Sequence, residues 1–213
     1  MKAAQRVALV FTSKQKAQEV LSVRRSDEAV SDDDEPPDLL VEFDAEPTLA
    51  AVEAALSRQY TVIRVEADVG VFERLRALKP DLVFNIAEGF SGPNRESHIP
   101  IVCEMLGLPC TGSDALTLGL CLDKARAKEI LGFHGVPTPR SFTAEPGLPI
   151  RIPAGFRFPA IVKPLREGSS MGIRDDSLVH SPALLRRRVR EIHRWYRQAA
   201  LVEVFLTGRE FSV

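Results

Sequence analysis

The chain has 213 residues, 45% of them hydrophobic, which is enough for one large or two small globular domains with cores of their own and excludes a peptide held by staples. Its 28 Lys and Arg balance 29 Asp and Glu, for a formal net charge of -1, so no global field draws it to nucleic acid or anionic lipid and any polyanion must be met locally. Cys103, Cys110 and Cys121 match no zinc spacing and sit in apolar surroundings typical of buried structural thiols. The N-terminal apolar run is too short for a signal segment and no stretch of about 18 apolar residues occurs, so the sequence reads as soluble and cytoplasmic.

In chain order, hydrophobic patterning predicts a buried strand over Val7–Phe11, a helix over Thr48–Leu56, a strand over Tyr60–Val65, a helix over Val71–Leu78 and a strand over Asp81–Ile86. That alternation defines a doubly wound α/β domain with a parallel sheet, extending to about residue 122. Between its first strand and first helix, Arg24–Asp38 packs seven acids and two prolines into fifteen residues, and is read as a mobile insertion in preference to an acidic arm for a basic partner. A helix around Ile99–Leu106 and a short strand at Leu108–Thr111 follow, and Gly112-Ser113-Asp114 caps the next short helix. Asp123 caps Lys124–Phe133, which His134-Gly135 closes. The proline-dense stretch to Pro159 reads as an extended connector.

From Ala160 a small α+β lobe is expected: a strand at "AIVK", a glycine-bearing turn, a strand near Met171–Ile173, a helix from Ser181 to about Arg197 and a strand over Leu201–Phe205. The helix places Leu185, Val189, Ile192 and Tyr196 on one face. Its arginines at 186, 187, 188, 190, 194 and 197 read as a solvated surface rather than a nucleic-acid patch, for want of interleaved aromatics.

The turn at Gly168, Ser169, Ser170 and Gly172 exposes successive backbone N–H groups, a concavity suited to phosphate oxygens, and Lys163 adds a point charge toward the same space. A flexible hairpin with an exposed lysine fits those residues as well, since the order is neither that of a P-loop nor of a dinucleotide fingerprint. Glu203 breaks an apolar strand end, where a carboxylate needs a partner or solvent.

Taken together, "PDLVFNIAEGFSG", "EMLGLPCTGSDALTLGLCLDK", "FPAIVKPLREGSSMGI" and "LVEVFLTGREFSV" resemble the ATP-grasp superfamily, in its D-alanyl-D-alanine ligase branch, over roughly Lys79–Val213. The resemblance implies a pre-ATP-grasp domain over residues 1–122 and the first lobe of an ATP-grasp domain over 123–213. It implies ATP and Mg2+ as cofactors, an amino-acid or peptide-like substrate, and a link to cell-wall peptidoglycan. Lys124 and Lys163 then correspond to lysines that reach the phosphates, and Gly168, Ser169 and Ser170 to the loop over the triphosphate, with Ser169 or Ser170 touching the acceptor amino acid. Glu203 corresponds to the acceptor for the adenine amino group, Val204 and Leu206 to backbone readers of the ring edge, and Glu210 to the ribose ligand. The family reaction moves the γ-phosphoryl of ATP onto a carboxylate, and an amine then attacks the acyl phosphate.

The family's magnesium carboxylates and catalytic arginine belong to a further segment with no counterpart here, so metal ligands are expected outside this chain and ligation by the chain alone is not expected. The outer face of the second sheet is expected to be uncovered for the same reason. Lysines in "FTSKQKAQ" stand where the branch carries an acid for the substrate ammonium, a role Glu42 or Glu46 could take, and "AEGFSG" stands where it carries His-Gly. Glu88 there either binds an ammonium group or caps the loop containing Arg95. The amino acids joined are left open. The alternative to a ligase is a non-catalytic dimerisation or nucleotide-binding module, and "ESHIPIVCEMLG" is the candidate homodimer face.

Overall fold

Five successive residues of Arg6–Phe11 are buried, the mark of a strand covered on both faces. In the computed structural model, which describes residues 5–28 and 36–211, this strand (β1) is central to a parallel sheet of order β2-β1-β3, with β2 at Thr61–Glu66 and β3 at Leu82–Asn85. Val7 lies opposite Val62 and Leu82, and Val10 opposite Val65 and Asn85. Side chains alternate between the faces. Ala8, Val10, Val65 and Val83 pack with Val71 and Leu75 of α3 (Val71–Leu78) and with Ile99 and Cys103 of α4 (His98–Leu106). Leu9 and Phe11 turn the other way, onto Leu49 of α2 (Glu46–Leu56). Burying a side chain of this size is worth about 2 kcal/mol, so the two-sided cover fixes the sheet register.

The chain divides into two compact units, one made of residues 1–30 and 40–120 and the other of 31–39 and 121–213. The second contains an antiparallel sheet of order β4-β7-β5-β6, formed by Ser141–Ala144 (β4), Ala160–Pro164 (β5), Leu178–Val179 (β6) and Ala200–Val204 (β7). Ala160 and Val162 of β5 and Ala200 and Val202 of β7 face α7 (Pro182–Tyr196), which lays Leu185, Val189 and Ile192 on them. Ser181 caps this helix by accepting from the Leu184 N–H at 3.4 Å, and Pro182 occupies its first turn. Ile161 and Lys163 of β5 with Leu201 and Glu203 of β7 point to the opposite face. There Leu165, Ala199 and Leu201 meet Ala125 of α6 (Lys124–Phe133), so the face expected to be uncovered is partly closed: Leu201 is 1% exposed and Glu203 8%.

Several sequence expectations are corrected. Arg24–Glu28 lies not in an insertion but in helix α1, Lys14–Glu28, which precedes the helix read as first; residues 29–35 of the expected mobile segment lie outside the described residues. Asp38, at its far end, is tied down, accepting from the Gly172 N–H at 2.7 Å and the Tyr196 hydroxyl at 2.5 Å. Leu108–Thr111 makes only an isolated parallel bridge between Cys110 and Val83. The proline-dense connector contributes β4 and packs Ile150, Ile152, Phe156 and Phe158 onto the second core. Met171–Ile173 is not a strand, because Ser169, Ser170 and Gly172 have φ of 43°, 60° and 71°, which no strand can continue. A Cβ at Gly172 would also stand 2.5 Å from Pro164 Cγ, so only glycine fits there.

Nor is Arg188 a surface residue. It is 2% exposed and donates to the Gly172 carbonyl at 2.7 Å and to Glu191 at 2.9 Å, while Ser177 Oγ also donates to that carbonyl at 3.2 Å. Removing one member of a buried charged network costs several kcal/mol, whereas an exposed i,i+4 pair such as Arg187–Glu191 is worth little. Arg188→Met is therefore expected to lower unfolding stability by about 3 kcal/mol in denaturant titration and Arg187→Met by less than about 0.5 kcal/mol.

Candidate nucleotide-binding site

Asp123 and Lys124 open α6 and tie it to the segment after β5. Asp123 Oδ1 caps the helix by accepting from the Ala125 and Arg126 N–H groups at 3.1 Å each, and its Oδ2 takes Arg166 Nε at 2.9 Å. Lys124 Nζ donates to the carbonyls of Leu165, at 3.3 Å, and Glu167. Gln198 completes the brace: its amide donates to Glu167 at 2.5 Å and its oxygen accepts from the Arg166 N–H at 2.6 Å. Apart from the helix cap, these contacts fall on residues 165–167, at the root of the Gly168–Gly172 turn. The turn itself is closed by the Met171 N–H to the Gly168 carbonyl at 2.8 Å and the Ile173 N–H to Ser170 at 3.0 Å, with Ser169 and Ser170 exposed at its tip. Its root is held by these bonds and its tip is open to solvent.

Across the sheet face, the antiparallel register sets Ile161 opposite Glu203 and Lys163 opposite Leu201, which brings Lys163 and Glu203 together on the diagonal. Lys163 Nζ pairs with Glu203 Oε1, and Lys128 of α6 reaches Oε2 at 3.0 Å. Burial pushes the Glu203 carboxyl upward, but the hydrogen bonds and charges of Lys163 and then Lys128 outweigh it and hold the group below the usual glutamate range. Its contribution to stability is thus complete above the ordinary glutamate value and is lost as the pH falls through the lowered one.

At the end of the strand, the Val204 N–H is bonded to the Arg140 carbonyl and the following Phe205 N–H to the Pro159 carbonyl, both at 3.0 Å. Leu206 and Glu210 follow, both exposed. The structure thus brings Lys124 to the root of the turn and joins Lys163 to Glu203. Lys128, Asp38 and Arg188 were not singled out as site or loop-holding residues in the sequence. Lys128 carried a signal, since it follows Lys124 by four residues and so shares its helix face. Asp38 and Arg188 carried none.

In the first unit, Glu88 follows β3 in a partly buried setting. Burial first, then repulsion from Glu42 and Glu96, pushes its carboxyl up to about 7 against the pull of Arg95. Arg95 itself pairs at 2.7 Å with Glu42, and Glu46 pairs at 2.7 Å with Arg64, so both acids considered as substitutes for the ammonium ligand already hold arginines. Close by, the Gly89 N–H donates to Thr12 Oγ1 at 3.2 Å, joining the C-terminal ends of β1 and β3. Among the described residues no group of three or more His, Cys, Asp or Glu is placed to hold a metal ion, and no helix is long and apolar enough to cross a membrane.

A family model, the D-ala D-ala ligase C-terminus, matches residues 132–213. The chain is 34% identical over 171 residues to a D-alanine–D-alanine ligase of Beijerinckia indica, covering 76% of this chain and 52% of that protein. It is 40% identical over 156 residues to an uncharacterized protein, y4sG, of Sinorhizobium fredii, covering 70% and 45%. The fold is shared with a D-alanine–D-alanine ligase of Bacillus anthracis solved with ATP, at TM-score 0.63, 17% identity, 96% of this chain and 60% of that one. In both sequence and fold the chain is thus similar to D-alanine–D-alanine ligases. The chain spans about half the length of the curated relatives it matches.

The raised Glu88 has a measurable consequence. Its folded value lies above the unfolded one, so the stability linked to its proton is complete below about 4.5 and is lost as the pH rises through about 7. Glu88→Gln is expected to flatten the fall in stability between pH 5 and pH 8 by about 2 kcal/mol, less than the full conversion because the carboxyl is only partly buried; parallel pH dependences of variant and parent would contradict this.

Proposed function

We propose that this chain carries the nucleotide site and part of the amino-acid site of an ATP-dependent carboxylate–amine ligase. The observation that carries this reading is the meeting of Lys163 and Glu203 on one sheet face, beside a glycine-serine turn whose root Lys124 braces. A buried ion pair at a strand end is costly to assemble and is a poor stabiliser, so its presence fits a site kept for a ligand. The architecture is read accordingly, as a doubly wound pre-ATP-grasp domain followed by the first lobe of an ATP-grasp domain.

In the proposed complex Lys163 turns from Glu203 to the phosphates, Lys124 adds charge at the root of the turn, and amides of Gly168, Ser169 and Ser170 close over the phosphate oxygens. Glu203 accepts from the adenine amino group. With its N–H engaged by Arg140, Val204 offers the base its carbonyl, while Leu206 offers its backbone and Glu210 the ribose contact. A carboxylate oxygen of the substrate attacks the γ-phosphorus as the bond to the β-phosphate oxygen breaks and ADP leaves. The amine nitrogen then attacks the acyl carbon, gives up a proton, and expels phosphate to leave an amide. Positioning and charge neutralisation are what the chain's own residues supply to these steps, and Ser169 or Ser170 orients the acceptor amino acid. Magnesium has no donor set of three or more among the described residues, and no step here is assigned to it.

Glu88 is proposed to meet a substrate ammonium in the first unit, where a carboxyl poised near neutral pH gains its charge when a cation arrives. Homodimerisation is proposed through α4, which leaves Ile101 and Met105 exposed. The cytoplasmic setting and the link to peptidoglycan follow the same family reading.

Calorimetric titration of the chain with ATP and magnesium tests the site. Lys163→Ala and Glu203→Ala are each expected to weaken binding at least about tenfold, equivalent to about 1.4 kcal/mol. A folded chain that binds no ATP, or variants that bind it unchanged, would contradict the reading.

A further inference from the structure

Lys128 sits one helical turn beyond Lys124 on α6, and the two lysines are directed to different targets. Lys124 serves backbone carbonyls at the turn, while Lys128 takes the Glu203 oxygen that Lys163 leaves. The Lys128 and Glu203 side chains are only 14% and 11% exposed, so the bond is shielded from solvent in a way that surface pairs are not. Opposite Glu203 on β4 stands Ser141, which carries no charge.

We infer that Lys128 is a positioning residue for base recognition: it holds Glu203 in place as a carboxylate so that Lys163 is released to the phosphates while Glu203 reads the amino group of the purine. This rests on the nucleotide site proposed above. An ionised carboxylate offers about four lone-pair sites on two oxygens, so Glu203 can keep Lys128 and still accept from an amino group. Without Lys128, moving Lys163 to phosphate strands a buried carboxylate with no counter-charge. Such a group takes up a proton, or keeps Lys163 for itself. Either result weakens the reading of an amino group, because a protonated carboxyl no longer presents two acceptor oxygens. A site built to accept from a 6-amino group rejects a 6-oxo purine, whose oxygen faces the carboxylate as a second acceptor.

Equilibrium titration of the full chain with ATP and with inosine triphosphate, in parallel on the parent, Lys128→Met, Lys128→Gln, Lys128→Arg and Glu203→Gln, tests the inference. The parent is expected to favour ATP about tenfold or more, and Lys128→Met to lose most of that preference, with ATP weakened about tenfold and inosine triphosphate less than about twofold. Lys128→Arg restores the preference, and Lys128→Gln repeats the methionine result if the latter does not fold. Equal weakening of both nucleotides, with the preference retained, would make Lys128 merely structural and overturn the inference. Loss of preference in Glu203→Gln but not in the Lys128 variants overturns the inference alone. A parent without preference, or Glu203→Gln retaining it, rejects the base contact itself and the inference with it.

Discussion

A single carboxylate, buried at the end of a central strand and held between two lysines, is the constraint on which the second unit depends. Glu203 is 8% exposed, and an isolated charge at that depth would be discharged or driven out to water. The antiparallel register of β5 and β7 delivers Lys163 to it, and the placement of α6 delivers Lys128. For α6 to arrive there, its N-terminus has to be fixed. Asp123, through its helix cap and its bond to Arg166, does that from the segment that also forms the root of the glycine-serine turn. The charge cluster and the turn are therefore positioned by one set of contacts.

The opposite face of the same sheet explains why this arrangement is stable enough to keep. Leu185, Val189 and Ile192 close it with apolar surface, and the strand residues they cover alternate with those that face the charges. Arg188 leaves from the same helix to hold the Gly172 carbonyl, so the helix that forms the core also anchors the far end of the turn. Asp38 holds the N–H of the same glycine, and Gly172, with no room for a Cβ, is consequently gripped on both sides of its backbone. Hydrogen bonds at both ends and exposure of Ser169 and Ser170 between them make a geometry suited to closing over a ligand without reorganising the sheet.

Much of this was legible from sequence where local physics decides it. The buried run at Val7–Phe11, the four-three spacing in α7 and the Asp123 cap each follow from periodicity or capping chemistry, and each appears where expected. Lys163 is marked by the glycine turn beside it and Glu203 by the apolar strand end it breaks, but their meeting depends on a register between strands that are far apart in the chain. What was misread depends on tertiary contacts. Arg188 counts as one of six arginines on a polar helix until Gly172 is known to sit beneath it. Acidic composition concealed the helix over Arg24–Glu28, and proline density concealed β4, because composition says nothing of the core that Phe142, Phe156 and Phe158 build around that strand.

The measurement that tests the central claim most directly is a crystal structure of the chain with a non-hydrolysable ATP analogue. The account predicts Lys163 Nζ withdrawn from Glu203 and within hydrogen-bond distance of a phosphate, Lys128 still on Glu203, and the adenine amino group on the same carboxylate. A nucleotide bound elsewhere, with the Lys163–Glu203 pair intact, would contradict it.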